Sequence, residues 1–184
     1  MKKVLSIIVL FTAFAGSMNA QKFFTRSGHV HFFSDTKMED IEADNHKASV
    51  VLDGATGQVE IALLIKAFEF EKALMQEHFN ENYMESDTYP KATFKGKVEN
   101  MSAIDLKKDG THNVKVIGEL TMHGVTNKVT IEATIKVAGG KLTCTTKFYV
   151  VPEDYKITIP NTVRDNIASK IEVNVDATLE ELKK

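Results

Sequence analysis

A single cysteine, Cys144, stands among 184 residues. One thiol closes no internal disulfide and builds no cysteine-rich zinc site. A basic excess is missing as well, since 23 lysines and arginines face 25 aspartates and glutamates. With no surplus of positive charge to draw a phosphate backbone, no nucleic-acid partner is expected. Neither Gly-x-Ser-x-Gly nor His-Glu-x-x-His occurs, so the sequence offers no nucleophile elbow and no zinc-protease helix. Its glycine pairs fall in turns rather than between a strand and a helix, which removes a dinucleotide loop. Repeats, low-complexity tracts and linker-like stretches are absent too. A hydrophobic content of 43% with nearly balanced charge excludes a disordered chain.

What is present begins with a three-part leader. Lys2-Lys3 is followed by an apolar run from Val4 to Ala15, interrupted by Ser6 and Thr12, and then by Gly16-Ser17-Met18-Asn19-Ala20. A positive start, a short apolar core and small residues before a cut form the layout of a secretory signal peptide. The run is too short to span a bilayer, which takes roughly 20 residues. No cysteine follows it, so neither a lipid anchor nor a stable membrane anchor is expected. The organisation read here is a signal peptide over residues 1–20 and one domain over residues 21–184.

The domain reads mostly as strands. From Phe23 to Phe33, Phe24, Val30 and Phe32 share one parity while Thr25, Ser27, His29 and His31 share the other. Such alternation marks a half-buried strand. Further strands are expected at Ala48–Leu52, Val59–Ile65, Ala92–Val98, Val114–Met122, Lys128–Val137, Leu142–Val151 and Lys170–Leu179. Gly139-Gly140 signals a two-residue hairpin, and Asp53-Gly54, Thr56-Gly57 and Asp109-Gly110 signal turns. Cys144 falls inside a strand and is expected to be a buried thiol. Between Phe68 and Met84 the period changes: Met75, Phe79 and Tyr83 lie four apart, on one face of an amphipathic helix. The unit ends at Tyr89-Pro90, because the residue before proline is driven toward extended backbone. A weaker helical turn is expected at Thr162–Ala168. About eight regularly spaced short strands suggest a closed antiparallel β-barrel, which removes exposed edges and has room for one small ligand.

Chemistry in the chain is sparse. His29 and His31 are two apart on a strand and so point to one face, a spacing that can converge on a metal ion. A third ligand would have to come from His46, His112 or a carboxylate. The plainer reading is a solvated strand face, and no metal site is assigned. His78 sits at the boundary of the helix's apolar stripe, and His123 opens a turn. Carboxylate pairs such as Glu39-Asp40 and Glu180-Glu181 lie in solvated runs, with no partner that would raise a pKa. Apolar content is concentrated around the helix, in Phe68, Phe70, Leu74, Met75, Phe79, Tyr83 and Phe94. These residues either form the core under a barrel cap or line a cavity for an apolar ligand.

Two blocks carry a family resemblance. The first runs from Phe68-Glu69-Phe70-Glu71-Lys72 through His78-Phe79-Asn80-Glu81-Asn82-Tyr83 to Tyr89-Pro90-Lys91-Ala92-Thr93-Phe94. The second is Gly118-Glu119-Leu120-Thr121-Met122-His123-Gly124-Val125-Thr126-Asn127-Lys128-Val129. In this order they resemble the YceI-like family over most of the domain. The resemblance implies a lipocalin-like antiparallel barrel in an exported, periplasmic protein. It also implies a non-enzymatic lipid-binding role, holding a polyisoprenoid chain, as a quinone or a prenyl phosphate, for transport or sequestration. No cofactor is implied, and a homodimer is compatible with it. Phe68, Phe70, Leu74, Phe79 and Phe94 are the expected wall or cap residues, with His78 and His123 near a head group. True lipocalins place a Gly-x-Trp near the first strand; this chain has no tryptophan and is not one of them. One block departs from the family pattern. Phe32 to Ala43 contains neither the glycine nor the matching histidine that many members carry there. That departure bears on the ligand rather than on the fold. Two other readings stay open: a barrel that is a scaffold for stress-related interactions, and a metal-dependent enzyme using His29 and His31.

Overall fold

Strand alternation needs a second surface on which to bury its apolar face, and here the sheet supplies it by curling onto itself. A computed structural model describes residues 21–182; the expected signal peptide lies outside them. The strands are β1 (Lys22–Asp35), β2 (Asp40–Asp53), β3 (Gln58–Leu64), β4 (Lys91–Val98), β5 (Gly110–Met122), β6 (Val125–Ala138), β7 (Lys141–Val150) and β8 (Ile171–Glu181). Each pairs antiparallel with the next, and β8 returns to β1, closing an eight-stranded barrel. Gly139 and Gly140, at φ 56° and 77°, make the expected tight hairpin between β6 and β7. His123 and Gly124 do the same between β5 and β6, at φ 49° and 71°. Both turns have positive φ at two successive residues, the geometry that matches strand twist in two-residue hairpins.

The first strand corrects the parity expected from the sequence. Phe23, not Phe24, is fully buried, while Val30 further along is also in the core. Register shifts between Thr25 and Gly28 explain the change. A bulge there inserts one extra residue, so inward positions pass from odd to even numbers. Phe24 is thereby turned outward, and the Arg26 guanidinium lies 5.5 Å from the centre of its ring.

β2 is longer than the apolar run Ala48–Leu52 suggested, beginning at Asp40. Its first half hides the alternation because, after Ile41, the inward residues are small or polar. Ala43 and Asn45 are buried among charged, outward-facing neighbours. A second bulge opposes His29 to two β2 residues, His46 and Lys47, as the register passes from Val30↔Asn45 to Gly28↔Ala48. Below this point the inward β2 positions are Ala48, Val50 and Leu52.

One end of the barrel is plugged. Phe23, Leu52, Leu142 and Leu179 there are almost entirely inaccessible to water and pack with Val98, Met101, Ile135 and Val137. At the other end the interstrand segments fold inward. Helix α1 (Ala73–His78) runs directly into a π-helical turn, Phe79–Tyr83. It is shorter than the Phe68–Met84 span read from periodicity, since Glu69 bridges to Asp44 through two backbone hydrogen bonds and Glu71 and Lys72 form a bend before the helix. The segment between β7 and β8 also crosses this end, in two 3₁₀ turns, Pro152–Tyr155 and Asn161–Asn166. The second is the weak helical turn expected at Thr162–Ala168, beginning one residue earlier and ending at Asn166.

Candidate functional site: a closed-ended apolar cavity

Inside the barrel lies a cavity of about 420 Å³, within the roughly 300–1,000 Å³ common for small-molecule pockets. Its walls are the inward residues of every strand, such as Val30, Ile61, Val116, Ile131 and Val175. Alternation puts them there, and barrel closure faces them toward one another. Polar lining groups are few and include Ser34, Glu39, His78 and Asn166. Among the described residues, no lysine or arginine lines the cavity.

The helix contributes as its spacing required. Met75, Phe79 and Tyr83, on one face, all line the cavity. Phe79 sits at the centre of an aromatic group, 5.4 Å from Phe32, 5.6 Å from Phe68 and 5.0 Å from Phe70 between ring centroids. Edge-to-face and offset rings at such separations add roughly 0.5–1.5 kcal/mol each beyond area burial. Phe68, Phe70, Phe79 and Phe94 therefore all face the interior, and His78 stands at its rim. Leu74 does not. It is 60% exposed, because it lies one residue, about 100° of helix rotation, from Met75. Expected as a wall or cap residue, it sits on the capping helix and outside the cavity lining.

His123 is also placed away from the cavity lining. Its Nδ1–H donates to the Tyr155 carbonyl at 2.9 Å, and its ring packs edge-on against Tyr89 at 4.7 Å. Nε2 has no hydrogen-bond partner, with the nearest carboxylate, Glu85, at 3.8 Å. A side chain on Gly124 would come within 2.6 Å of the Tyr89 ring. The Tyr-Pro and His-Gly elements of the two sequence blocks thus meet in space. There they latch the β7–β8 segment to the β5–β6 hairpin. Gly118 also makes room for an aromatic ring, since a Cβ there would stand 2.5 Å from the Lys95 carbonyl and 2.6 Å from the Phe94 ring. The missing side chain lets Phe94 lie across the barrel interior.

Sequence reasoning missed the rim. Lys72 Nζ donates to Glu39 Oε1 at 3.3 Å, and Asn166 Nδ2 to Glu39 Oε2 at 3.5 Å. Ser34 Oγ accepts from the Ala168 backbone N–H at 2.9 Å. These groups come from three segments far apart in the chain, so no local spacing announces them. Buried Ile157 and Ile159, with Val163 and Ile167, complete the wall from the β7–β8 segment.

Cys144 also lines the cavity. Burial, with a smaller push from the Asp176 charge, raises its thiol from 9.0 to about 12. The reactive thiolate is therefore scarce at neutral pH. We expect iodoacetamide to leave the folded protein unmodified at pH 8 and to alkylate it fully in denaturant, as read by intact mass. The same shift carries a sign for stability. Between about pH 9 and 12 the unfolded chain releases a proton that the native chain keeps, so stability falls as pH rises through that window. Rapid labelling of the native protein would show the thiol to be accessible.

His29 and His31 lie on the outer wall, not in the cavity. Both bond to one oxygen of Asp44, His29 Nε2 at 2.6 Å and His31 Nδ1 at 3.1 Å. Burial alone would raise the Asp44 carboxyl. The hydrogen bonds and charge of the two histidines outweigh it and leave the group below the ordinary carboxylate range.

With barrel, cap and cavity described, comparison with known proteins is decisive on family. The YceI-like domain profile matches residues 11–179. The chain belongs to the YceI-like family. A polyisoprenoid binding domain from Saccharophagus degradans, implicated in plant cell wall breakdown, superposes with TM-score 0.77 at 14% identity, over 89% of this chain and 99% of that one. Burkholderia cenocepacia BcnA does so with TM-score 0.66 at 18% identity, over 83% and 95%. The Campylobacter jejuni YCEI protein gives TM-score 0.55 at 19% identity, over the whole of both chains. At these identities the likeness establishes the fold. Comparison with curated proteins finds no match. In this YceI-like chain the latch residues Tyr89, His123 and Gly124 hold the cap, while Phe94 and the helix face reach the interior.

Proposed function

We propose that the protein is a non-enzymatic carrier that holds one isoprenoid chain inside its barrel. The observation that carries this reading is the cavity of about 420 Å³, walled by apolar side chains on all eight strands, with Ser34, Glu39, His78 and Asn166 among its few polar lining groups. Burying an apolar chain there recovers roughly 25 cal/mol per Å² of surface taken from water. The polyisoprenoid binding domain of S. degradans, a structural relative, supports the choice of ligand class. The rim favours an isoprenoid quinone over a prenyl phosphate. Glu39 contributes a carboxylate, and Lys72 is already hydrogen-bonded to it. With no lysine or arginine among the described lining residues, a phosphate would meet no free cation there, whereas a neutral quinone ring needs only hydrogen-bonding groups. We further propose export to the periplasm, supported by the charged start, apolar run and small-residue end of residues 1–20.

Organic extraction of the purified protein followed by mass spectrometry tests the reading. The expected result is one isoprenoid quinone per chain, on a polypeptide whose mass begins at Gln21. Protein that carries no lipid, and takes up none when offered a quinone, would overturn it.

A further inference from the structure

The outer wall carries a second arrangement that the cavity does not use. His29 on β1 faces Asp44 and His46 on β2, and one ligating atom from each lies within 4.8 Å of the others. The His29 and His46 rings stack, with centroids 4.4 Å apart and planes 14° apart. His31 adds a second imidazole to the Asp44 oxygen that His29 already engages, and its Nε2 is 3.8 Å from Glu42. We propose that His29, Asp44 and His46 form a binding site for a divalent transition-metal ion on the outside of the barrel, with His31 orienting the shared carboxylate.

The backbone is arranged to present these groups. At the β2 bulge, His46 and Lys47 both turn to solvent opposite His29. Bulges of this kind re-aim side chains and raise local twist. The bulge is itself held from within by Asn45, which is wholly buried. Its amide donates to the Leu64 carbonyl at 3.0 Å, and its Oδ1 accepts from the Lys47 N–H at 2.9 Å. A solvated patch of surface histidines would need no such internal strut.

The donor set selects the ion class. Imidazole nitrogen binds zinc at about 2.0–2.1 Å and carboxylate oxygen at about 2.0–2.2 Å. Two imidazoles and one carboxylate suit zinc, copper or nickel, whereas calcium and magnesium want oxygen alone. The 2.6 Å between His29 Nε2 and Asp44 Oδ1 is a proton-bridged distance. An ion replaces that proton and parts the two atoms by a fraction of an ångström. The side chains of His29 and Asp44 are 38% and 41% exposed, so the remaining coordination positions are open to water. His31 then acts as an outer partner of the ligating carboxylate, and such partners typically alter affinity about 10–100-fold. None of His29, His31, Asp44 and His46 lines the lipid cavity, so metal and lipid binding are separable.

The test is calorimetric titration of the untagged full chain with zinc chloride at neutral pH. Copper chloride is added in parallel, with electron paramagnetic resonance reading nitrogen coupling. The expected result is one ion per chain, a raised unfolding temperature and splitting from two imidazole nitrogens. His29→Gln/His46→Gln should abolish saturable binding, Asp44→Asn should weaken it strongly, and His31→Gln should lower affinity about 10–100-fold at unchanged stoichiometry. Extracted lipid should be the same in all of these variants. His46→Gln alone, at an exposed position, carries the test if the double variant fails to fold. Absence of saturable zinc uptake, or undiminished binding by a folded His46→Gln protein, would overturn the proposal.

Discussion

Ala133→Phe is expected to yield a folded barrel that carries no lipid. Ala133 sits mid-strand on β6, on the inward parity of Ile131 and Ile135, and lines the cavity. A phenyl ring there projects into the space that the chain of an isoprenoid would occupy. In a filled core such enlargement costs roughly 1–3 kcal/mol. Here the ring enters a cavity of about 420 Å³, so the loss of stability should fall below that range. The measurement is lipid per chain after extraction, together with the thermal midpoint. Lipid retained at one per chain would mean that the cargo lies elsewhere and that the interior is packing space.

Phe23→Ala should have the opposite profile, with a large loss of stability at the plugged end. Phe23 has no exposed surface and packs with Leu52, Val98 and Leu179. Truncating a buried phenylalanine costs about 3–5 kcal/mol, because the cavity left behind relaxes only in part. For a domain of this size that corresponds to a drop of roughly 6–20 °C in unfolding temperature. Phe24→Ala is the internal control. Phe24 lies outward under Arg26, and losing that contact should cost no more than about 1 kcal/mol. Equal effects at the two positions would show that the β1 bulge is misplaced. A larger effect at Phe24 would restore the uninterrupted alternation that the sequence suggests.

The two phenylalanines show where sequence reasoning ends. Alternation along β3 to β8 was legible because a strand's side chains switch face at every residue, a purely local rule. The face of α1 was legible for the same reason: Met75, Phe79 and Tyr83 needed only the helical period to be placed together. The β1 bulge was not legible. An extra residue in one strand is defined by what opposes it in the other, and Thr25 to Gly28 contains no sign of the β2 partner. The first half of β2 was hidden because Asp40 to Lys47 buries alanine and asparagine rather than large apolar side chains. Leu74, expected as a wall or cap residue, lies one helical position from the cavity-facing stripe and is exposed, a distinction that its apolar character does not reveal.

The same boundary runs through the sites. His29 and His31 announced themselves as a same-face pair, and His46 was among the named third partners. Asp44 was not distinguishable from any other carboxylate. Bringing Asp44 and His46 against His29 required the β1–β2 register and a strut from Asn45. The rim of Glu39, Lys72 and Asn166 had no local trace, and neither did the bond from His123, expected near a head group, to the Tyr155 carbonyl.

By itself, then, the sequence determined a β-barrel class, the YceI-like family, an apolar helix face and the absence of nucleophile or phosphate motifs. The family rests on the resemblance carried by the two sequence blocks; the rest follows from composition, period and short-range spacing, which act over a few residues. The tertiary structure alone decided which aromatics face the cavity, that one end is plugged while interstrand segments cap the other, and which carboxylate joins the histidines. Each of these depends on register and closure between segments distant in sequence, and such pairings are selected by the energy of the whole barrel rather than by any one strand.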